Sequence, residues 1–258
     1  MCNDGTRGFL ALAASFVSAA ALGAVTSANA VGVLRVDSTV RRTIVAVPWE
    51  AVGGGEARAL DIVSSKGLTP GDKVFVYSQS GKAKGVHSAY SLQSGAWDAM
   101  PVVTADGVWK GDGTETLPRG GAFQLWRSDA SKPFVLCGQA PEDAADAVEV
   151  DPGTPAKPAY SMLGSPRTEP FVLNAEGAVE NPNEGDRIVV PQTGGDRVYE
   201  WRAADGWGYD AKVAHTAEVA GRVVTGYRTA RKTDGEMSVP VGTGFWYVST
   251  GSGTRINW

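Results

Sequence analysis

Cysteine is nearly absent. The 258 residues hold two, and Cys2 lies in an N-terminal stretch expected to be removed, which leaves Cys137 alone. One thiol makes no intrachain disulfide, so stability must come from a buried core rather than covalent staples. Cys137 sits in the apolar run Pro-Phe-Val-Leu-Cys-Gly, where a thiol behaves as a small buried hydrophobe. Histidine is equally scarce, with His87 and His215 only. Basic charge is also short: 24 Lys and Arg face 28 Asp and Glu, for a net charge of −4. With no basic patch, a nucleic-acid partner is not expected. The Gly-x-Ser-x-Gly elbow, the Gly-x-x-x-x-Gly-Lys phosphate loop and His-Glu-x-x-His are all missing, which removes the motif-level case for the corresponding hydrolases, nucleotide binders and zinc peptidases. No cofactor is expected.

The chain does have a distinctive start. Phe9 to Val25 is an uncharged run of apolar and small residues, preceded by Arg7 and followed by the small-x-small site Ala28-Asn29-Ala30. This is the pattern of a secretory signal peptide over residues 1–30, with the mature chain beginning at Val31. Its 17 residues are short for a span that needs about 20. Export to the cell surface, the periplasm or the medium is therefore expected, with no membrane span left after cleavage.

Beyond that start the chain is punctuated by 33 Gly and 14 Pro and lacks long helical periodicity. Short apolar runs bounded by Gly-Asp, Asp-Gly and Gly-Ser predict an all-β fold of sandwich or barrel-like lobes. Val74 to Tyr77, Ile188 to Val190 and Phe245 to Val248 are continuous runs, which predicts strands covered on both faces.

Four blocks recur in order. Gly71-Asp72-Lys73-Val74-Phe75-Val76 matches Gly185-Asp186-Arg187-Ile188-Val189-Val190, and Gly81 falls on Gly195. Trp97-Asp98-Ala99 matches Tyr209-Asp210-Ala211, and Pro118 to Phe123 matches Pro240 to Phe245 after an insertion around Glu218 to Lys232. Internal repetition of this kind predicts two pseudo-repeated lobes, residues 31–139 and 161–258. Between them, residues 140–160 carry four prolines and a run of acids and read as an exposed acidic linker tethering the lobes.

The stretch Thr43 to Gly55, with Val-Pro-Trp-Glu-Ala-Val-Gly-Gly-Gly, and the ending Gly-Phe-Trp-Tyr-Val-Ser followed by Ile-Asn-Trp resemble uncharacterised bacterial secreted β-rich proteins. The resemblance implies export and assigns no functional residues.

Chemistry-bearing residues are few. A Cys137 nucleophile with His87 or His215 would need the pair within hydrogen-bond reach and a third group to orient the imidazole; a buried Cys and a loop His are expected instead. Asp106-Gly107 and Asp112-Gly113 lack the regular acidic spacing of calcium loops and read as turns, so no metal site is expected. Trp97, Trp109, Trp201, Trp207 and Tyr209 lie beside Gly-rich turns. As ligand-binding candidates, Trp97, Trp109, Trp207 and Tyr209 offer flat apolar faces to a glycan or a surface protein, although Trp so placed more often closes a core.

The function expected is a non-enzymatic exported module for surface structure, adhesion, or glycan or protein binding. A secreted hydrolase without a recognisable motif is the alternative. An outer-membrane barrel, suggested by the terminal Trp258, is disfavoured because the apolar runs are too short and unbroken to alternate along a spanning strand.

Overall fold

A computed structural model describes residues 31–36, 41–47, 57–58, 60, 68–77, 87–104, 107–117, 120–129, 133–139, 147–167, 169–192, 195–219, 222–235 and 237–258. The expected signal peptide, residues 1–30, lies outside these described residues, as does the Trp49 to Gly55 segment.

The protein is all-β, as its turn-punctuated sequence predicts. The first ten strands are β1 (Val31–Val36), β2 (Arg42–Ala46), β3 (Ala57–Arg58), β4 (Lys73–Tyr77), β5 (His87–Gln93), β6 (Ala96–Thr104), β7 (Gly107–Lys110), β8 (Thr116–Leu117), β9 (Ala122–Trp126) and β10 (Phe134–Gln139). Then follow β11 (Val148–Glu149), β12 (Ala159–Gly164), β13 (Phe171–Val172), β14 (Val179–Glu180), β15 (Arg187–Val190) and β16 (Arg197–Arg202). The last are β17 (Gly206–Val219), β18 (Arg222–Lys232), β19 (Ser238–Val239), β20 (Gly244–Ser249) and β21 (Arg255–Ile256).

Two six-stranded antiparallel sheets dominate, ordered β2-β9-β4-β5-β6-β7 and β12-β20-β15-β16-β17-β18. In each, the strand nearest the end of its half inserts between the first two. The strands opened by Gly71 and Gly185 occupy the same third place, and both glycines sit at positive φ, +93° and +82°, a conformation that side-chain-bearing residues rarely adopt. Short pairs cover one face of each sheet: β1 with β10 and β3 with β8 in the first half, β21 with β11 and β14, and β13 with β19, in the second.

Each half has its own core. In the first, Val45, Val74, Val76, Phe123 and Leu125 of the large sheet meet Leu117, Phe134 and Leu136 from the covering strands. In the second, Leu163, Ile188, Val190, Tyr199, Trp207, Phe245 and Tyr247 meet Phe171, Val239, Ile256 and Trp258. Burying one such large side chain stabilises by about 1.5–3 kcal/mol. The continuous runs do not behave uniformly. β4 and β15 bury alternate residues fully and leave the others half-covered, whereas β20 is covered on nearly every residue because the first half packs on its other side.

Two buried carboxylates fix the sheets. Asp72 Oδ1 accepts from Ser128 N and Oγ, both at 2.7 Å, and its Oδ2 accepts from Thr69 N at 2.9 Å. Asp186 accepts from Thr250 N at 2.7 Å, Thr250 Oγ1 at 2.8 Å, Asn183 N at 2.9 Å and the Tyr247 hydroxyl at 2.7 Å. Both are 0% exposed. A charge so placed is tolerable only when several donors replace its water.

The halves are docked. Ala46 N donates to Gly242 O at 3.0 Å while Gly164 N donates to Gly120 O at 2.9 Å, and the bridges Val45 to Thr243 and Gly121 to Leu163 accompany them. Ile44, Ala122 and Met162 form a small buried cluster at this junction, flanked by Tyr77 and Trp246. Two glycines permit the approach. A Cβ on Gly244 would stand 2.5 Å from Ile44 Cγ2 and 2.8 Å from Ala122 Cβ, and one on Gly164 would strike Ala46.

The expectation of a tethering linker over 140–160 needs correction. Residues 140–146 lie outside the described residues, but from Ala147 the stretch belongs to the second half. Val148 and Glu149 pair with Ile256 and Arg255, Val150 is buried, and Ala159 and Tyr160 begin β12. The alternation Val148-Glu149-Val150-Asp151 turns the valines towards the core, with Glu149 exposed and Asp151 half-buried, while Pro152, Pro155 and Pro158 fall in the intervening turn, where no ladder donor is lost.

Two outcomes follow. Gly244→Ala overpacks the junction and should cost about 1–3 kcal/mol, read as a lower urea midpoint at unchanged slope. Burial, and then the Asp186 charge, raise the Tyr247 hydroxyl above the ordinary tyrosine value. The neutral phenol is the favoured native form, so its stabilisation is complete below about pH 10 and is lost as pH climbs towards the raised folded value. The unfolding free energy from urea titrations should therefore fall between about pH 10 and 12, by up to roughly 1.4 kcal/mol per pH unit for each such tyrosine, and Tyr247→Phe should flatten that fall.

Candidate functional site

A groove of about 550 Å³ lies at the outer end of the second sheet, formed by β16, β17, the root of β18 and the residues Gln192, Gly195 and Asp196 ahead of β16. Its floor is Gly208. A Cβ there would meet the Arg231 guanidinium, with Cζ and Nε both at 2.8 Å, so the glycine lets an arginine lie flat across the backbone. Arg231 Nε donates to Asp205 Oδ2 at 2.9 Å, and its Nη2 donates to the carbonyls of Glu200 at 2.8 Å and Gly206 at 2.9 Å. These bonds clamp the base of the β17–β18 hairpin.

The walls carry both signs of charge. Arg202 Nε donates to Glu200 Oε1 at 2.7 Å, and this carboxylate raises the Arg202 pKa, holding the guanidinium charged. Arg197 stands over the Tyr209 ring, 5.3 Å from its centroid, a cation–π geometry. Asp196 and Asp210 complete the lining. The groove thus presents carboxylates and guanidinium groups around one aromatic ring, several of them locked in ion pairs.

Of the four aromatic candidates, Tyr209 lines this groove and is half-buried, packed edge-on to Tyr199 at 5.7 Å. Trp207 lies behind it in the core, edge-on to Trp201 at 5.7 Å and Tyr247 at 6.3 Å. Trp97 is half-buried against the first core. Trp109 pairs through its backbone with Val102, and its side chain lies outside the described residues. So do the side chains of His87, Cys137 and His215; the backbones of these three stand on β5, β10 and β17. Asp112 Oδ1 accepts from Thr114 N at 2.9 Å and Thr114 Oγ1 at 2.5 Å, the turn its Asp-Gly sequence predicts; Asp106 lies outside the described residues.

Sequence reasoning missed Gly208, Arg197, Arg202 and Arg231. The signal was Gly208 itself, a glycine between two aromatics in a strand, which marks a close approach. An aromatic patch on the first sheet was also missed. Trp126, 43% exposed, packs on Phe75 at 5.2 Å, lies under Arg42 at 6.0 Å and donates to Gln124 Oε1 at 3.1 Å.

No protein-family model matches the chain, and neither a curated protein nor a solved structure is significantly similar to it.

Arg231→Ala should release the hairpin base. The loss of two charge-assisted bonds to carbonyls and one ion pair predicts about 2–4 kcal/mol of destabilisation. Hydrogen exchange should show it locally, with β17 and β18 amides losing protection and β9 amides unchanged.

Proposed function

We propose that the chain is a non-enzymatic exported binding module that takes a polar, hydroxyl-rich ligand, a glycan, into the groove beside Tyr209. One observation carries this reading: fixed carboxylates and guanidinium groups surround an aromatic ring over a glycine floor. Hydroxyl pairs on a sugar are matched by carboxylate and guanidinium groups, which offer two acceptors or two parallel donors, and its C–H faces by an aromatic ring. Because Arg202 is held by Glu200 and Arg231 by Asp205, the walls are ordered before a ligand arrives, which lowers the entropy lost on binding. Export rests on the signal-peptide pattern over residues 1–30, in keeping with the resemblance to secreted bacterial proteins.

Tandem duplication is part of the same proposal, with the second copy beginning near Ala147. It is supported by the shared strand order, by the two buried carboxylates at equivalent turns and by the reciprocal bonds at the junction. On this view the counterpart of Trp97 is Trp207, in place of the Tyr209 that the sequence blocks suggest, since Leu92 pairs with Trp97 as Trp201 pairs with Trp207.

The test is a glycan array probed with the mature chain, residues 31–258, beside Arg197→Ala and Asp210→Asn. Binding to a defined subset of glycans is expected, weakened tenfold or more, about 1.4 kcal/mol, by either substitution. A blank array together with a hit in a broad esterase and peptidase screen would replace this reading with the hydrolase alternative.

A further inference from the structure

We infer that the hairpin of β17 and β18 is a docking arm that takes an extended acidic peptide as a third strand along β18. β16 pairs with β17 only at Gly206, Trp207 and Gly208. From Tyr209 to Val219, β17 pairs among the described residues with β18 alone, through eleven consecutive pairs ending at Val219 and Arg222. At about 3.4 Å per residue this ribbon runs roughly 35 Å. Two-stranded ribbons are marginal in water and gain stability from a third strand. β18 closes the sheet order and has no second neighbour among the described residues, so its outer row of backbone groups is a template for strand addition.

Charge selects the partner. β18 reads Arg-Val-Val-Thr-Gly-Tyr-Arg-Thr-Ala-Arg-Lys, four cations and no carboxylate, on a protein of net charge −4. Arg231 is committed to the groove. Arg222, Arg228 and Lys232 remain, and as even-numbered residues of one strand they share a face. Arg222 and Arg228 are exposed, and Tyr227 on the other face is 76% exposed. A second copy is a poor occupant, because full antiparallel pairing of β18 with itself sets Arg222 opposite Lys232, a like-charge pair across strands. An acidic strand answers the same positions with opposite charge. In antiparallel pairing its carboxylates fall opposite Lys232, Arg228 and Arg222, at positions i, i+4 and i+10.

The probe is a labelled Thr/Val-rich peptide of twelve residues with Glu at positions 1, 5 and 11, titrated into the mature chain by fluorescence anisotropy. Binding should weaken as salt rises. A peptide with Lys in place of Glu should not bind, and one with the middle Glu moved by a single residue, hence to the opposite face, should bind several-fold more weakly. Arg222→Glu with Arg228→Glu should lose tenfold or more in affinity, with circular dichroism confirming that the fold is kept. Strand addition has a further signature, a gain in hydrogen-exchange protection on alternate amides of β18 in the wild-type chain. Absence of that gain, equal binding of the displaced-Glu peptide, or binding by polygalacturonate but not by the peptide would each overturn the proposal. So would a concentration-dependent dimer that the double charge reversal leaves intact.

Discussion

A carboxylate removed from water at the start of a central strand is the constraint around which each half is organised. Asp72 and Asp186 follow a positive-φ glycine, and each gathers donors from its own turn and from just beyond the end of the neighbouring strand, β9 or β20. Neither set of donors suffices alone. The turn supplies one backbone amide, joined at Asp72 by the Thr69 hydroxyl, and the other bonds come from residues more than fifty positions away. The insertion of β9 and β20 between earlier strands is therefore tied to the turn by a charge that has no other means of solvation, and misplacing that strand leaves a buried anion unpaired. In the second half the Tyr247 hydroxyl adds a core side chain to the same anion, so core packing and sheet order are secured at one point.

Much of this was legible in the sequence, and the limits are physical. Gly71-Asp72 and Gly185-Asp186 announce a turn followed by a strand, and the apolar runs after them became β4 and β15 as expected. That the aspartates face inward was not legible, because it depends on Ser128 and Thr250, which local pattern cannot bring near. The acidic stretch before β12 misled through composition. Its prolines and carboxylates suggested a solvated tether, while the period-two pattern of Val148 to Asp151, the better guide, is too short to outweigh them. The docking of the halves turns on two missing methyl groups, at Gly164 and Gly244, and a glycine in a sequence does not say whether its neighbour is solvent or another strand.

The groove shows the same division. Aromatic residues beside Gly-rich turns drew notice, and of those only Tyr209 lines the groove, Trp207 lying one layer behind it in the core. Trp207 and Tyr209 are two residues apart on β17 and so share a face, and both pack on the second core; Tyr209 reaches the groove because it stands where β17 parts from β16, which composition does not show. Arg231 and Arg197 were invisible because their partners, Asp205, the carbonyls of Glu200 and Gly206 and the Tyr209 ring, lie on other strands or in the turn between them and depend on the register between β16, β17 and β18; Arg202 pairs with Glu200 two residues back on its own strand.

The reciprocal junction also settles where the molecule can be extended. β2 and β12, the first edges of the two sheets, are each engaged by the opposite half through Val45 with Thr243 and Leu163 with Gly121. The opposite edges, β7 and β18, close the two strand orders at their far ends. The two large sheets thus meet at one edge each, and their far edges are two dissimilar tips. One tip carries the exposed valines 103 and 108 and the other the arginines of β18. A strand added at the far edge of either large sheet therefore meets different chemistry at the two ends.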